Sequence, residues 1–483
     1  MSENSTLLKR TSNGMMWKFL EKISSQGMQL IIQIVLARLL LPEEYGLIGL
    51  LSIFITISDV FILQGLTTAL IQKKNADDLD YSSVYFANIL ISLFLYVILF
   101  LTAPVIADFY KESALIGIMR VLSLNVVIGA FPAVHNAILS RNLDFKKSFF
   151  RNISNAITQG IVGISLALCG AGAWAMVFSK ISGNIVGALV LCATVKWSPR
   201  LMLDFGRLKH LFSYSSKVLA TNLLNTVFNN INSLIIGRYY STLDIGYYQR
   251  GQQIPQGAMS ALDGSMSEVL YPAFSKCQDD LVALKKAVRK SISFSMYIVL
   301  PVLTGLIAIA KPFTLLLLTE KWLPSVPYMQ LTCIGCMFWP LSHRNHAINA
   351  LGKSNVTLRL SIIGKSISVI SIVICLPYGI NMIMVGSIVS SLINVGISSY
   401  YVKKYLRYTY KELILDLLPS MILSGIMFGC VLLIGMLKIY VIVKLVLQIV
   451  VGIVVYLLLS SIFKPEPYKM IMNKIVELLK RKK

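Results

Sequence analysis

Apolar residues fall in long blocks along most of this chain. Fourteen blocks lie near 15–37, 46–71, 82–107, 114–139, 149–169, 173–195, 211–237, 244–275, 291–311, 325–350, 356–377, 381–401, 412–436 and 440–463. Each has the length a helix needs to cross a hydrocarbon core about 30 Å thick. None shows the strict alternation of a membrane β-strand. The pattern therefore predicts an all-α polytopic membrane protein with about 14 transmembrane helices. Polar residues interrupt the second, eighth and tenth spans. The seventh carries Asn222, Asn225, Asn229 and Asn232 at i, i+3, i+7 and i+10, one face of a helix.

That seventh span begins a repeat. Moved back by 200 residues, its polar face meets Lys22, Ser25, Gln26, Gln29 and Gln33 of the first span. Arg238 then falls on Arg38, Asp244 on Glu44 and Gly246 on Gly46. A weaker echo links Asn136-Ala137-Ile138 to His346-Ala347-Ile348 at an offset of 210. The expected organisation is an N-terminal six-helix lobe at 1–200, a C-terminal six-helix lobe at 201–405, and two additional helices with a basic tail at 406–483. A six-span unit is even, so the copies are parallel pseudo-repeats about an axis along the membrane normal. A substrate site is expected between them.

Composition agrees. The chain is 56% hydrophobic and only 14% charged, with a mean hydropathy of +0.71. Soluble domains carry about 25% charged residues. No stretch is polar and long enough for a sizeable soluble domain, and no cleavable signal peptide is read at the N-terminus. The net charge of +23 invites a nucleic-acid reading, but its distribution argues against one. With the N-terminus placed in the cytoplasm, 33 of the 45 basic residues fall on the cytoplasmic side and about six on the other. That is the positive-inside bias of a multi-pass protein, and it puts both termini in the cytoplasm. The seven cysteines are scattered through apolar runs. They read as small hydrophobes, not a disulfide framework.

Several local motifs then carry a resemblance. They are Leu36-Ala37-Arg38-Leu39-Leu40 with Glu44-Tyr45-Gly46, and Gly237-Arg238-Tyr239-Tyr240 with Gly246-Tyr247-Tyr248-Gln249-Arg250. Tyr271-Pro272-Ala273-Phe274-Ser275-Lys276 and Ala350-Leu351-Gly352-Lys353 also fit. The chain resembles polysaccharide flippases of the multidrug/oligosaccharidyl-lipid/polysaccharide exporter superfamily, in the Wzx/WzxC-like branch. The resemblance covers the first twelve spans well and the last two loosely. It implies two six-helix bundles in a V, working by alternating access in the bacterial cytoplasmic (inner) membrane. The implied cargo is a polyprenyl-diphosphate-linked oligosaccharide moved to the outer leaflet for O-antigen, capsule or exopolysaccharide synthesis. Membrane lipids, and a polysaccharide polymerase with chain-length machinery, are the partners it implies. It supplies no catalytic motif, and none is expected.

Ionisable side chains at mid-membrane are costly and therefore point to function. The cations are Lys180, Arg250, Arg344 and Lys365; Arg120 and Lys444 lie nearer span ends and can snorkel. The acids are Asp59, Asp263 and, near a span end, Glu268. A cationic balance suits a diphosphate. The candidate cavity lining is thus Lys180, Arg250, Arg344 and Lys365 with Asn222, Asn225, Asn229, Gln26 and Gln29. Each has a plainer alternative: an interfacial anchor for Arg250, snorkelling for Lys365, helix–helix hydrogen bonding for the amides. Asp59 and Asp263 could pair with the cations or carry a coupling ion. His135, lone in its span, reads as structural.

Two other signals fail. Cys333-x-x-Cys336 with His343-x-x-His346 lies in one helical run, where four ligands cannot converge without a chain reversal that Pro340 would not supply. No metal and no cofactor is expected. Gly-Lys-Ser at 352–354 and 364–366 lacks the preceding glycine of a phosphate loop, since Ala347 and Arg359 stand there. The rival reading is a proton- or sodium-coupled multidrug/cation antiporter of the same superfamily, which would lean on the acids. A membrane enzyme ranks last, because the outer loops are short.

Overall fold

The computed structural model describes residues 3–73, 75–142, 144–277 and 279–481; the side chains of 3–16, 18–19, 23, 214, 263–265, 267–269, 271–273, 276 and 474–481 fall outside that description. Among the described residues all regular structure is helical. A bilayer core offers no water to unpaired backbone groups, and a helix satisfies them within itself. Two compact units divide the chain, Met1–Gly246 and Tyr247–Lys483.

The first unit holds α1 (Glu3–Leu39), α2 (Pro42–Gln64), α3 (Leu66–Gln72), α4 (Asp78–Tyr110), α5 (Leu115–Leu122), α6 (Leu124–Ala130), α7 (Ala133–Asn142), α8 (Phe145–Leu168), α9 (Ala173–Thr194) and α10 (Phe205–Tyr239). α11 (Thr242–Lys276) starts at its end. The second unit continues with α12 (Leu281–Leu317), α13 (Val326–Cys336), α14 (His343–Ala350), α15 (Ser354–Cys375), α16 (Ile380–Leu406), α17 (Tyr410–Gly435), α18 (Val441–Phe463) and α19 (Glu466–Arg481).

Among the described residues eight helices are long and apolar enough to cross a membrane, or nine if the bent run through α5, α6 and α7 is one span. The chain is a multi-pass helical membrane protein. The other expected spans fall on α1, α8, α10, α11 and the broken run from α13 to α14, where polar residues dilute the apolar signal. Helix ends echo the repeat spacing: α1 ends at Leu39 and α10 at Tyr239, and α2 starts at Pro42 and α11 at Thr242.

In the first unit α8 lies between α1 and α9. The approach is close because small residues line it. Gly160 faces Ile32, Gly163 faces Ser179, and Gly183 and Gly187 face Gln159 and Asn155. With no hydrophobic drive between helices in lipid, such surfaces supply the packing. α10 packs on α2, α3 and α4, with Gly237 against Leu50 and Tyr110. At the start of α4 sits an ion cluster. Asp77 caps the helix by accepting from the Asp80 N–H at 2.9 Å, and Arg207 donates to it at 2.6 Å. Arg207 holds the Asp77 carboxyl well below the usual carboxylate range. The fully buried Asp80 is matched by Lys73 at 2.6 Å.

The turns at Gly46 and Gly246, matched in sequence spacing, meet each other. A Cβ on Gly46 would run into the Thr242 carbonyl, and one on Gly246 into the Pro42 carbonyl. The neighbouring acids cap equivalent turns: Glu44 accepts from the Leu41 N–H at 2.7 Å and Asp244 from the Ser241 N–H at 3.2 Å.

In the second unit α12 is the central strut, packed on α13, α17 and α18. Its N-terminal end is tied to α17 by a bidentate Arg289–Asp416 pair at 2.7 and 2.8 Å and by Lys285–Glu412 at 2.7 Å. Further along, the Tyr456 hydroxyl donates to the Tyr297 carbonyl at 2.6 Å and the Tyr297 hydroxyl to Ser460 at 2.8 Å.

The glycine contact yields a test. Gly46→Val and Gly246→Val are each expected to destabilise the purified protein by about 1–3 kcal/mol, the usual penalty for overpacking. Gly27→Ala, with nothing within 4 Å of a new Cβ, should leave stability unchanged or raise it slightly. Thermal unfolding in detergent measures all three.

Candidate functional site

The sequence candidates sort into three environments. The first is the open amide faces. Gln26 and Gln29 on α1 are exposed, as are Asn225 and Asn229 on α10, while Asn222 is half-buried. These faces turn away from the helices that α1 and α10 pack against. A mid-span face of amides is poorly suited to hydrocarbon, where each unsatisfied group costs several kcal/mol.

The second is the polar interior of the first unit. Lys180 on α9 is half-buried, and it is the charge that acts on the half-buried carboxylate of Asp59 on α2. The two groups lie within electrostatic range without forming a direct ion pair. One turn beyond Lys180 stands Asn184, part of a chain of amides that the sequence reading missed. Gln159 donates to Asn155 at 2.6 Å, Asn155 to Asn184 at 3.0 Å, and Asn184 to Asn125 at 2.8 Å. Asn125 ends the chain by donating to the Leu122 carbonyl at 3.0 Å. Each carbonyl oxygen in this chain accepts the amide before it, so α6, α8 and α9 are fixed to one another. Asn184 stands four residues after Lys180 in the sequence, but nothing there reveals its pairing with Asn125. His135 is buried against Trp197, ring centroids 5.2 Å apart, consistent with a structural role.

The third is the interior of the second unit. Arg250 is buried, lies 5.7 Å from the centroid of the buried Trp322 ring, and donates to the Gln253 side-chain oxygen. Arg344 is 1% exposed. Its Nε donates to the Leu341 carbonyl at 2.9 Å and a terminal nitrogen to the Ser399 hydroxyl at 2.6 Å. The chain makes this possible by breaking. α13 stops at Cys336, and a 3-10 turn at Trp339–Ser342 with Pro340 precedes α14. The break brings the arginine side chain back onto the turn that precedes its own helix. Lys365 on α15 is half-buried. The Asp263 and Glu268 side chains lie outside the described residues.

Two cavities open in this second unit. One, of about 260 Å³, is bounded by Arg344, Asn345, Asn394 and Ser398 together with Phe338 and Trp339. The other, of about 430 Å³, is an apolar cleft where α12, α17 and α18 meet, walled by Pro301, Met427, Val431, Gly452 and Tyr456. The zinc-like cysteines lie elsewhere: Cys333 and Cys336 are buried in an apolar cluster with Met259, Val299 and Leu303.

The comparisons with known proteins can be set against this geometry. A family model described as polysaccharide biosynthesis protein matches residues 35–327. The chain belongs to this family. Among the family's curated relatives, lipopolysaccharide biosynthesis protein WzxC of Escherichia coli (strain K12) is 24% identical, over 87% of this chain and 88% of its own. Teichuronic acid biosynthesis protein TuaB of Bacillus subtilis (strain 168) is 23% identical over 71% of each chain. Succinoglycan biosynthesis transport protein ExoT of Rhizobium meliloti (strain 1021) is 23% identical over 68% of this chain and 66% of its own. Among solved structures, lipid II flippase MurJ in an inward closed conformation superposes with a TM-score of 0.78 at 18% identity, covering 93% of this chain and 98% of that one. An inward-facing multidrug resistance MATE family transporter of the MOP superfamily gives 0.65 at 14% identity, covering 81% and 99%. These likenesses establish the fold, and the resemblance carried by the sequence motifs holds at family level.

The Asp59–Lys180 partnership can be measured. Asp59→Asn and Lys180→Gln are each expected to destabilise the protein, with a coupling of about 0.5–3 kcal/mol in the double variant, as for groups sharing one electrostatic network. Strictly additive unfolding shifts would show that the two charges do not communicate.

Proposed function

We propose that this protein is a flippase for polyprenyl-diphosphate-linked oligosaccharide, carrying it from the inner to the outer leaflet of the bacterial cytoplasmic membrane by alternating access. The observation that carries this reading is the accessible amide face of α10, at Asn225 and Asn229, with its counterpart at Gln26 and Gln29 of α1. Exposed amides along a membrane helix call for a water-filled chamber. They bond sugar hydroxyls through both donors and acceptors, without demanding one sugar. Lys180 and the arginines add the positive balance a diphosphate needs. The names of the relatives, which concern surface polysaccharides and in one case transport, fit such a cargo. So does the flippase with the matching fold. The protein is then a transporter and not an enzyme.

In this reading fourteen helices cross the membrane and both termini are cytoplasmic. Residues 1–200 and 201–405 are parallel repeats, which the recurring helix ends support. Helices α17 and α18 stand outside the repeat, and their apolar cleft with α12 offers space for a hydrocarbon chain. Glycan-assembling partners such as a polymerase with its chain-length machinery would act on the outer side.

One observation favours a second reading, a cation-coupled antiporter: Asp59 stands half-buried within the field of Lys180, as a coupling carboxylate would. Drug efflux that depends on Asp59 would support it.

The deciding experiment is the leaflet distribution of lipid-linked glycan in cells depleted of the protein, read by glycosidase accessibility in spheroplasts. Intact glycan should build up on the inner leaflet while surface polysaccharide is lost. Complementation with Lys180→Ala, or with Asn225→Leu and Asn229→Leu together, should restore transport at least tenfold less well than the native chain. An unchanged pool with normal distribution would overturn the flippase reading.

A further inference from the structure

Arg344 stands at the start of the short helix α14. Its guanidinium is almost fully buried, and among the described residues no carboxylate forms an ion pair with it. A guanidinium carries five N–H donors. Two hydrogen bonds tie it to the protein, to the Leu341 carbonyl and the Ser399 hydroxyl, and both acceptors are neutral. An isolated charge held this way in a low-dielectric interior is costly, and a counter-charge relieves that cost.

Arg344 borders the cavity of about 260 Å³ that lies between the break before α14 and the middle of α16. The other polar walls are neutral groups: Ser342, Asn345, Ser391, Asn394 and Ser398, with no carboxylate among them. Asn345 is oriented by its neighbour, since its Oδ1 accepts from the Ser398 hydroxyl at 3.1 Å. Its NH2 group is thereby left to donate. Asn394 is pinned from behind by Gly364 of α15, where a Cβ would come within 2.7 Å of the Asn394 amide nitrogen. One fixed cation, two placed amides and serine hydroxyls around a small polar void form a donor-rich cradle. Such a cradle binds an oxyanion: the guanidinium fork matches two oxygens, and the amides and hydroxyls take others.

We propose that this cavity is an oxyanion site that takes a phosphoryl group, built wholly within the second unit. A cation site would need acceptors, and the walls hold a fixed positive charge instead. A hydrocarbon site would need apolar walls, such as the cleft among α12, α17 and α18 has. The site stands on its own geometry. It rests on the flippase reading only for one of its two possible sources, the diphosphate of a lipid-linked cargo; the other source is a free inorganic anion.

The test uses full-length protein in detergent, in chloride-free buffer, titrated calorimetrically with inorganic phosphate and inorganic pyrophosphate. Saturable binding is expected. Arg344→Gln should weaken it at least about tenfold, Arg344→Lys should restore part of it, and Asn394→Ala should weaken it severalfold with the arginine in place. Absence of binding to the native chain, or equal binding to the native chain and to Arg344→Gln, overturns the site. Should Arg344→Gln fail to fold, unchanged affinity in both Asn394→Ala and Ser391→Ala overturns it equally. Competition then assigns the source. Displacement of pyrophosphate by farnesyl diphosphate upholds the site as one for a prenyl-linked diphosphate; displacement by chloride but not by farnesyl diphosphate upholds it as one for a free anion. Normal leaflet distribution in depleted cells, together with intact binding, would remove the flippase reading and leave the oxyanion site standing.

Discussion

Everything in this molecule answers to the absence of water in the bilayer core. Backbone groups meet that constraint by forming helices. Polar side chains meet it only by finding one another. The amide chain from Gln159 through Asn155 and Asn184 to Asn125 is the fullest example: each oxygen accepts, and the last amide ends on a backbone carbonyl. The same logic governs Asp80, fully buried and matched by Lys73, and the Arg289–Asp416 pair between α12 and α17. These groups hold helices in register. Because their hydrogen bonds are taken up within the fold, they are poor candidates for binding anything else.

The constraint also sets how closely helices approach. Glycine lines α8 and α9 where those helices touch, so Ser179 and the amides can reach across. At Gly46 and Gly246 the backbone of one turn lies against the backbone of its counterpart, and no side chain fits between. Where a helix must turn a polar group inward, it breaks instead. Arg344, at the start of α14, donates back to the Leu341 carbonyl in the 3-10 turn around Pro340. Irregular backbone of this kind is tolerated at membrane depth only when protein or a polar cavity covers it.

Much of this was legible in the sequence, and the divide is physical. The apolar blocks report burial in lipid, a local property, so every helix longer than twenty residues lies on an expected span. The matched spacing of Glu44 and Asp244 and of Gly46 and Gly246 was legible, because capping and close approach restrict residue type at single positions. Mid-membrane cations stood out by cost alone. What stayed hidden was pairing. Lys180 could be singled out, but not its relation to Asp59 on α2, more than a hundred residues earlier. Asn125 and Asn184 each look like ordinary helix polar residues until packing brings them within 2.8 Å. Nor does composition distinguish Arg250, stacked on Trp322, from Arg344 at a cavity wall.

Satisfaction therefore separates scaffold from site better than burial or charge does. Asp80 and the interior amides are buried or half-buried and spend their polar capacity on the fold. The amides of α10 at Asn225 and Asn229 lie open, and Arg344 is buried at the wall of a polar void. Hydrocarbon is a poor neighbour for polar groups in either position, whereas water or a polar cargo is a good one. The open amides suit hydroxyl-rich chemistry that slides past without strict fit. The enclosed arginine suits one compact anion held in place. A cargo with many hydroxyls joined to a diphosphate presents both chemistries in a single molecule.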